Sequence, residues 1–420
     1  MNPPFPMLKK ILYVPLEFST WKMAQYWSYP EGPGLEEGFS GSGVKCFVLP
    51  GLIRTQYYAP ETFLDHARRL CANMQFDVVW LTIPHVGYDS SFLEWLTEVA
   101  PVRVGYFVES MEPYWGANPA EASKRKRKRA LAALPYLTHG LVWDEADIAG
   151  LNARGIPAMW CPVHVPERFV KTRPAGGSSS TALFFGAAYG ERIRYLNDPV
   201  LSGLLVRPDH SLEHETQYPQ IFDALNIEVM RQLATQDVWN PQLMVRRLKR
   251  RLWWFLRRPL KNWRKEKIPD GIPRQLESLS GQDIRKLLAG YLEQFRTCRH
   301  KNFELWLDTI AQGFAMVNLP QVGFGYGPRV VETMAVGRPV LAHRVPNRPR
   351  VEELFQNGHE ILLYDNPEEL AGQIRRLQKD SGLRDRLVNQ AQHKLLQFHT
   401  TERRVGQALR WLESGQAPDF

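Results

Sequence analysis

The run "FDVVWLTIP" (76–84) is almost unbroken in its apolar character, and a proline stops it. A strand with one wet face alternates apolar and polar residues. An unbroken run marks a strand covered on both faces, as in parallel sheets with crossover helices above and below. The flanks agree. Before the run, "PETFLDHARRLCANM" (60–74) places Phe63, Leu64, Ala67, Leu70 and Cys71 at helical spacing, and after it "SSFLEWLTEVA" (90–100) does the same behind a serine cap. "KKILYVPLEF" (9–18), "VKCFVLPG" (44–51) and "PVRVGYFVES" (101–110) read as further strands, and 137–163 as strand, short helix with an acidic cap, turn and strand. This rhythm predicts a doubly wound parallel α/β domain over 1–170.

"KTRPAGGSSSTA" reads as a linker, placed at 171–181, because proline, glycine and serine crowd it. A second α/β unit over 182–400 opens with "ALFFGAAYGERIRYL". A polar, basic stretch over about 203–300 shows no strand signal and reads as a helical insertion. The rhythm then resumes with strands at 314–320, 338–343 and 360–365 among helices. Residues 401–420 form a terminal helix, expected to cross back to the first domain. The fold class is therefore α/β, with two Rossmann-like domains facing a cleft. Ligands of such sheets sit at the carboxyl ends of strands.

Charge is unevenly spread. The net charge is +9, yet "KRKRKR" (124–129) carries +6 and the stretch from Arg246 to Lys267 carries +10. The rest of the chain is acidic. "MVRRLKRRLWWFLRRPLKNW" (244–263) has apolar residues at helical spacing among its cations, which fits an anionic membrane surface; Arg250, Arg251, Trp253, Trp254 and Arg257 are the candidate contacts. Packing of that helix on its own domain is the alternative, and nucleic acid is a less favoured partner. The four cysteines lie far apart, without metal or redox spacing, which fits free thiols in a reducing compartment. No run is long enough to span a membrane, and the N-terminus lacks signal-peptide features.

"VGFGYGPRVVETMAVGRPVLAH" (322–343) runs from a glycine-rich loop into a helix and a strand. Pro328 suits the first helical position, and the amides and dipole there attract anions. Gly323, Gly325 and Gly327 let the backbone approach a phosphate. Glu332, one turn in, can accept hydrogen bonds from ribose hydroxyls. The glycine spacing and the nearness of the acid do not fit the dinucleotide fingerprint. A plain strand-to-helix turn is the bland alternative.

The order of Arg329, "ETMAVGRP" (332–339), "EELFQNGHEILLY" (352–364) and "HTTER" (399–403) resembles the C-terminal half of GT-B glycosyltransferases, and more closely the CgeB-like, spore-maturation-protein-like group. The likeness covers about 90 residues and extends weakly to "FFGAAYGERIRYL". It implies that Glu332 holds the donor ribose, that Gly325, Tyr326, Gly327 and Arg329 meet the diphosphate, and that Arg192, beyond Gly186, adds a second cation there. Phe324 stands eight positions before Glu332, where many retaining relatives carry another glutamate, so retention is not implied.

An acceptor-side acid or base is expected after strands of the first domain. Glu109 and His85 are the leading candidates for catalysis, with Glu17, Glu112 and Glu145 behind them. Asp144, in "DEAD", reads as a helix cap. His399 reads as a family-like or structural residue near the crossing. The resulting expectation is a cytoplasmic, metal-independent, hexosyltransferase-like enzyme without cofactor, peripheral at the inner face of the cell membrane. It would move a sugar from a nucleotide-sugar to a glycan, lipid-linked or protein acceptor, with domain closure excluding water. The alternative is a non-catalytic scaffold on the same fold, binding membrane or nucleic acid through the basic helix.

Overall fold

The computed structural model describes residues 8–15, 34–49, 64, 67–68, 70–83, 88–111, 121–174, 180–186, 188–208, 300, 303–321, 325–416 and 418. Among them are two all-parallel sheets. The first holds β1 (Lys10–Val14), β2 (Lys45–Val48), β3 (Val78–Ile83), β4 (Val102–Phe107), β5 (His139–Val142) and β6 (Ala158–Trp160), in the order β2-β1-β3-β4-β5-β6. All six residues of β3 are buried, as its unbroken apolar run requires. Helices α1 (Gly34–Gly41), α2 (Ser90–Val99), α3 (Glu121–Ala133) and α4 (Asp147–Asn152) connect these strands. Helix α2 buries Phe92, Leu93, Trp95, Leu96 and Val99 on one face.

The second sheet holds β7 (Ala182–Leu183), β8 (Leu205–Val206), β9 (Met316–Asn318), β10 (Val340–His343) and β11 (Leu362–Tyr364), in the order β11-β10-β9-β7-β8. Its helices are α5 (Glu191–Asn197), α6 (Pro328–Ala335), α7 (Pro349–Leu354), α8 (Pro367–Lys379) and α9 (Ser381–Lys394), with a further helical stretch over 303–310. Both sheets share one winding. The chain enters in the interior, adds a strand on one side, then reverses and builds the other side. The reversal falls between β1 and β3 in the first sheet and between β7 and β9 in the second. Such a switch point opens a crevice at the carboxyl ends of its two strands.

Three local expectations need correction. Asp89, not Ser90, occupies the N-cap of α2, and it makes no side-chain cap bond there. Strand β8 lies inside the stretch predicted to lack strands; two residues paired with β7 are too few to show a period. The start of the Gly/Ser-rich run is also fixed in place: Lys171 and Arg173 donate their amides to the carbonyls of Ala335 and Val336. Gly337 permits this close approach, since its φ is +74° and a Cβ there would lie 2.8 Å from Thr172 Oγ1. Residues 175–179 and 209–299 lie outside the described residues, and with them the basic amphipathic helix and its candidate contacts Arg250, Arg251, Trp253, Trp254 and Arg257. Among the described residues no helix is long and apolar enough to cross a membrane.

After α9 the chain makes one wide turn over Leu395–His399 and enters α10 (Thr401–Ser414). Helix α10 lies against α1. A Cβ on Gly34 would come within 2.8 Å of Thr401 Oγ1, and one on Gly38 within 2.7 Å of Val405 Cγ2, so the two glycines let the helices touch. At the crossing, Val165 donates its amide to His399 O (3.3 Å) and accepts from Thr401 N (2.9 Å).

Polar side chains beside this crossing are buried and joined. Trp143 Nε1 donates to Tyr106 Oη (2.9 Å), which lies 3.0 Å from His164 Nε2, and His164 Nδ1 lies 2.8 Å from Thr401 Oγ1. The two ring nitrogens of His164 are thus each hydrogen-bonded to a hydroxyl, one of Tyr106 and one of Thr401. Burial, and the nearby Arg404 charge, push His164 down to about 3. His399 is likewise held far below its ordinary value by burial and Arg404. Arg404 bonds His399 Nδ1 and Gln407 Oε1. His399 is thus part of this buried joint.

Candidate functional site

The switch point of the second sheet is lined by the residues that follow its two central strands. Phe184, Phe185 and Arg192 come after β7, Asn318 and Gln321 from the end of β9, and Gly327, Pro328 and Arg329 from the start of α6. The sequence builds this place locally. Pro328 takes the first helical position, and no side chain caps the helix, so the first turn opens toward the cleft.

Two guanidinium groups face the cleft. Arg192 is buried; its Nε donates to Pro320 O at 2.7 Å, and the rings of Tyr189 and Phe184 lie 4.4 and 5.4 Å away. Burial lowers its pKa, with Tyr189 and Tyr364 opposing. Arg329 Nη1 lies 2.6 Å from Glu332 Oε2, and its guanidinium sits 4.1 Å over the Trp306 ring. An anion between these cations would find positive charge on both sides and the Arg329 amide at the helix start.

Glu332 is only 3% exposed. One oxygen, Oε2, accepts from Trp306 Nε1 (2.9 Å) as well as from Arg329. The other oxygen takes no hydrogen bond from the described residues. A buried carboxylate fixed through one oxygen presents the second as an oriented acceptor, the arrangement that a vicinal diol or a single hydroxyl can use.

The predicted donor-side residues fall as follows. Arg192, Gly327 and Arg329 line the cleft together, and Glu332 lies beneath Arg329. Gly186 adjoins them, since a Cβ on it would lie 3.3 Å from Arg192 Nη1. Gly325 has open space, the nearest atom to a Cβ there being Trp143 O at 3.7 Å. Tyr326 turns into the core, where its ring packs near Phe355, and burial raises its pKa. Gly323 and Phe324 lie outside the described residues.

On the acceptor side, His85, Glu17 and Glu112 also lie outside the described residues. Glu109 is half-buried just past β4. Asp144 overturns its reading as a cap. The residue capping α4 is Ala146, and Asp144 instead forms a buried two-pronged ion pair with Arg348, Nε to Oδ1 at 2.5 Å and Nη2 to Oδ2 at 3.0 Å. Ser110 Oγ donates to Oδ2 (2.5 Å) and Ala146 N to Oδ1 (3.1 Å), so four donors occupy both oxygens. Asp144 therefore has no lone pair left for proton transfer. Asp147 is used the same way, accepting the Met111 amide at 2.7 Å. Glu145 accepts the Arg350 amide (3.3 Å); burial raises its carboxyl, with Arg350 and Arg348 opposing.

Two participants escape sequence reasoning. Trp306 lies 26 residues before Glu332 and Arg348 lies 204 residues after Asp144, so no local period joins either pair. The only available signals were a tryptophan on a helical face and an arginine before Pro349.

Residues 275–410 match the family model described as glycosyl transferase-like, and this span contains Trp306, Arg329 and Glu332. No curated protein matches the chain. Among solved structures, the chain is similar to HepE of Anabaena in complex with UDP-glucose, at 10% identity and a TM-score of 0.45, over 97% of this chain and 100% of that one. It is similar to a glycosyltransferase of Rickettsia africae at 9% identity and a TM-score of 0.41, over 98% of each chain. A UDP-N-acetylglucosamine 2-epimerase is similar at 11% identity and a TM-score of 0.41, over 99% of each chain.

Proposed function

We propose that the protein is a glycosyltransferase of GT-B architecture that takes a sugar from a nucleoside-diphosphate donor; the resemblance to the CgeB-like group belongs to the same reading. The observation that carries it is the cleft at the switch point of the second sheet, lined by Arg192, Arg329 and an uncapped helix start, with the buried carboxylate of Glu332 bonded to Arg329. The glycosyl transferase-like match over 275–410 supports it. The donor's diphosphate would lie between the two guanidinium groups and its ribose on Glu332.

Departure of a nucleoside diphosphate concentrates charge on the leaving oxygens. Fixed guanidinium groups and helix amides stabilise that charge as it develops, without reorganising. In this reading they make the reaction independent of a metal ion, and activity would survive a chelator. The acceptor is a glycan, a lipid-linked glycan or a protein, and Glu109 and His85 are the candidates for its activation. Work at the inner face of the cell membrane, through the basic segment 244–263, belongs to the same proposal.

Calorimetric titration with UDP, GDP and ADP tests the donor site. The protein should bind at least one, and Glu332→Ala should abolish that binding together with hydrolysis or transfer from the matching nucleotide-sugar. Binding of none of them, or full binding by Glu332→Ala, refutes the assignment.

A further inference from the structure

Glu332 is positioned from outside its own helix. Its Oε2 is held by the indole N–H of Trp306, carried on the helical stretch 303–310, and by Arg329 from the turn before. The same indole ring is the platform under Arg329, 4.1 Å from the guanidinium carbon. Its other side meets Phe185, 5.1 Å away edge-to-face, and Phe185 lines the cleft just past β7. One buried side chain thus touches the carboxylate, the cation and a ring that lines the cleft. Trp306 itself is only 4% exposed and does not line the cleft.

The geometry points to Trp306 as a positioning residue that sets how Glu332 reads the ribose hydroxyls of the donor. The inference rests on the donor-site reading above. The argument is one of lone pairs. Two donors fill Oε2, and a carboxylate so anchored cannot rotate about its last bond without breaking both. Oε1 is then held in one direction, and hydroxyl recognition comes from orientation as much as from charge. Without the indole N–H, Oε2 keeps one donor on a flexible arginine, and the carboxylate can turn. Trp306 would therefore confer selectivity for hydroxyls on the sugar of the nucleotide, and contribute little to the grip on its phosphates.

The test compares two probes, UDP and 2′,3′-dideoxy-UDP, with the matching GDP or ADP pair where calorimetry shows that base to be preferred. Wild-type protein should bind the ribose form about tenfold or more tightly, the worth of a hydrogen bond to a charged group. Trp306→Phe keeps a ring under Arg329 and removes the N–H. It should bind the dideoxy form as wild type does, while the preference for ribose falls to about threefold or less. Glu332→Gln combined with Trp306→Phe should show no preference beyond that of Glu332→Gln alone. Trp306→Tyr, which also lacks the indole N–H, is run in parallel, and circular dichroism identifies any variant that does not fold. Equal weakening of both probes in Trp306→Phe would make Trp306 a packing residue and overturn the inference, leaving the donor site intact. A wild-type protein that binds both probes equally also overturns it. Binding of neither by wild type refutes the donor-site reading, and the inference with it.

Discussion

Acidification should destabilise this protein through His164, and the structure sets the size of the effect. The imidazole is buried and hydrogen-bonded to the hydroxyls of Tyr106 and Thr401. Burial, and then Arg404, lower its pKa from 6.5 to about 3. The unfolded chain therefore takes up a proton before the folded one does. The neutral imidazole's stabilisation is fully present above about pH 6.5 and is lost progressively as pH falls toward 3. Each pH unit in that window costs about 1.4 kcal/mol per histidine, so lowering pH from 7 to 5 removes about 2 kcal/mol through His164 alone. Urea unfolding followed by tryptophan fluorescence at pH 7, 6 and 5 measures the slope. His164→Gln keeps one acceptor and one donor to offer the two hydroxyls, but it does not titrate. Its stability should fall by about 2 kcal/mol less than that of wild type over the same two units. Equal slopes in the two proteins would refute the reasoning, because they would mean that His164 is not held neutral in the fold.

Other substitutions test other joints. Arg348→Met leaves the Asp144 carboxylate buried without its main partner and should cost about 3–5 kcal/mol, read as a lower urea midpoint, whereas Asp144→Asn combined with Arg348→Met should recover part of the loss. Gly337→Ala puts a side chain at φ +74° against Thr172 and should cost about 2 kcal/mol by the same assay, with nucleotide affinity unchanged.

The architecture was legible because parallel strands announce themselves. The unbroken run at 76–84 and the strand–loop–helix order at 314–335 follow from burial on two faces and from proline at a helix start, and both are local signals. The pairing of Arg329 with Glu332 follows from their spacing, three residues apart on one helix start, while Arg329 entered the site only through the glycosyltransferase resemblance. Asp144 was not legible. An acid shortly before a helix is ordinarily a cap, and the competing partner, Arg348, is brought to it only by tertiary structure. Trp306 failed for a related reason: an apolar ring on a helical face says that the face is buried, while the hydrogen bond of its N–H depends on what it is buried against. Strand β8 failed on length, since two residues carry no alternation.

The two passages of the chain between the sheets have a mechanical consequence. The chain leaves the first sheet beyond Val165 and returns through His399–Thr401, and the two passages are hydrogen-bonded side by side. At Val165 the outward and returning passages hold each other through two amide–carbonyl bonds, so neither can shift along the other without breaking them. Gly34 and Gly38, by letting α10 seat on α1, hold the returning passage where it enters α10. The outward passage is held by the Lys171 and Arg173 amides, bonded to Ala335 and Val336. Each passage is thus fixed twice, once to the other passage and once to the element beside it.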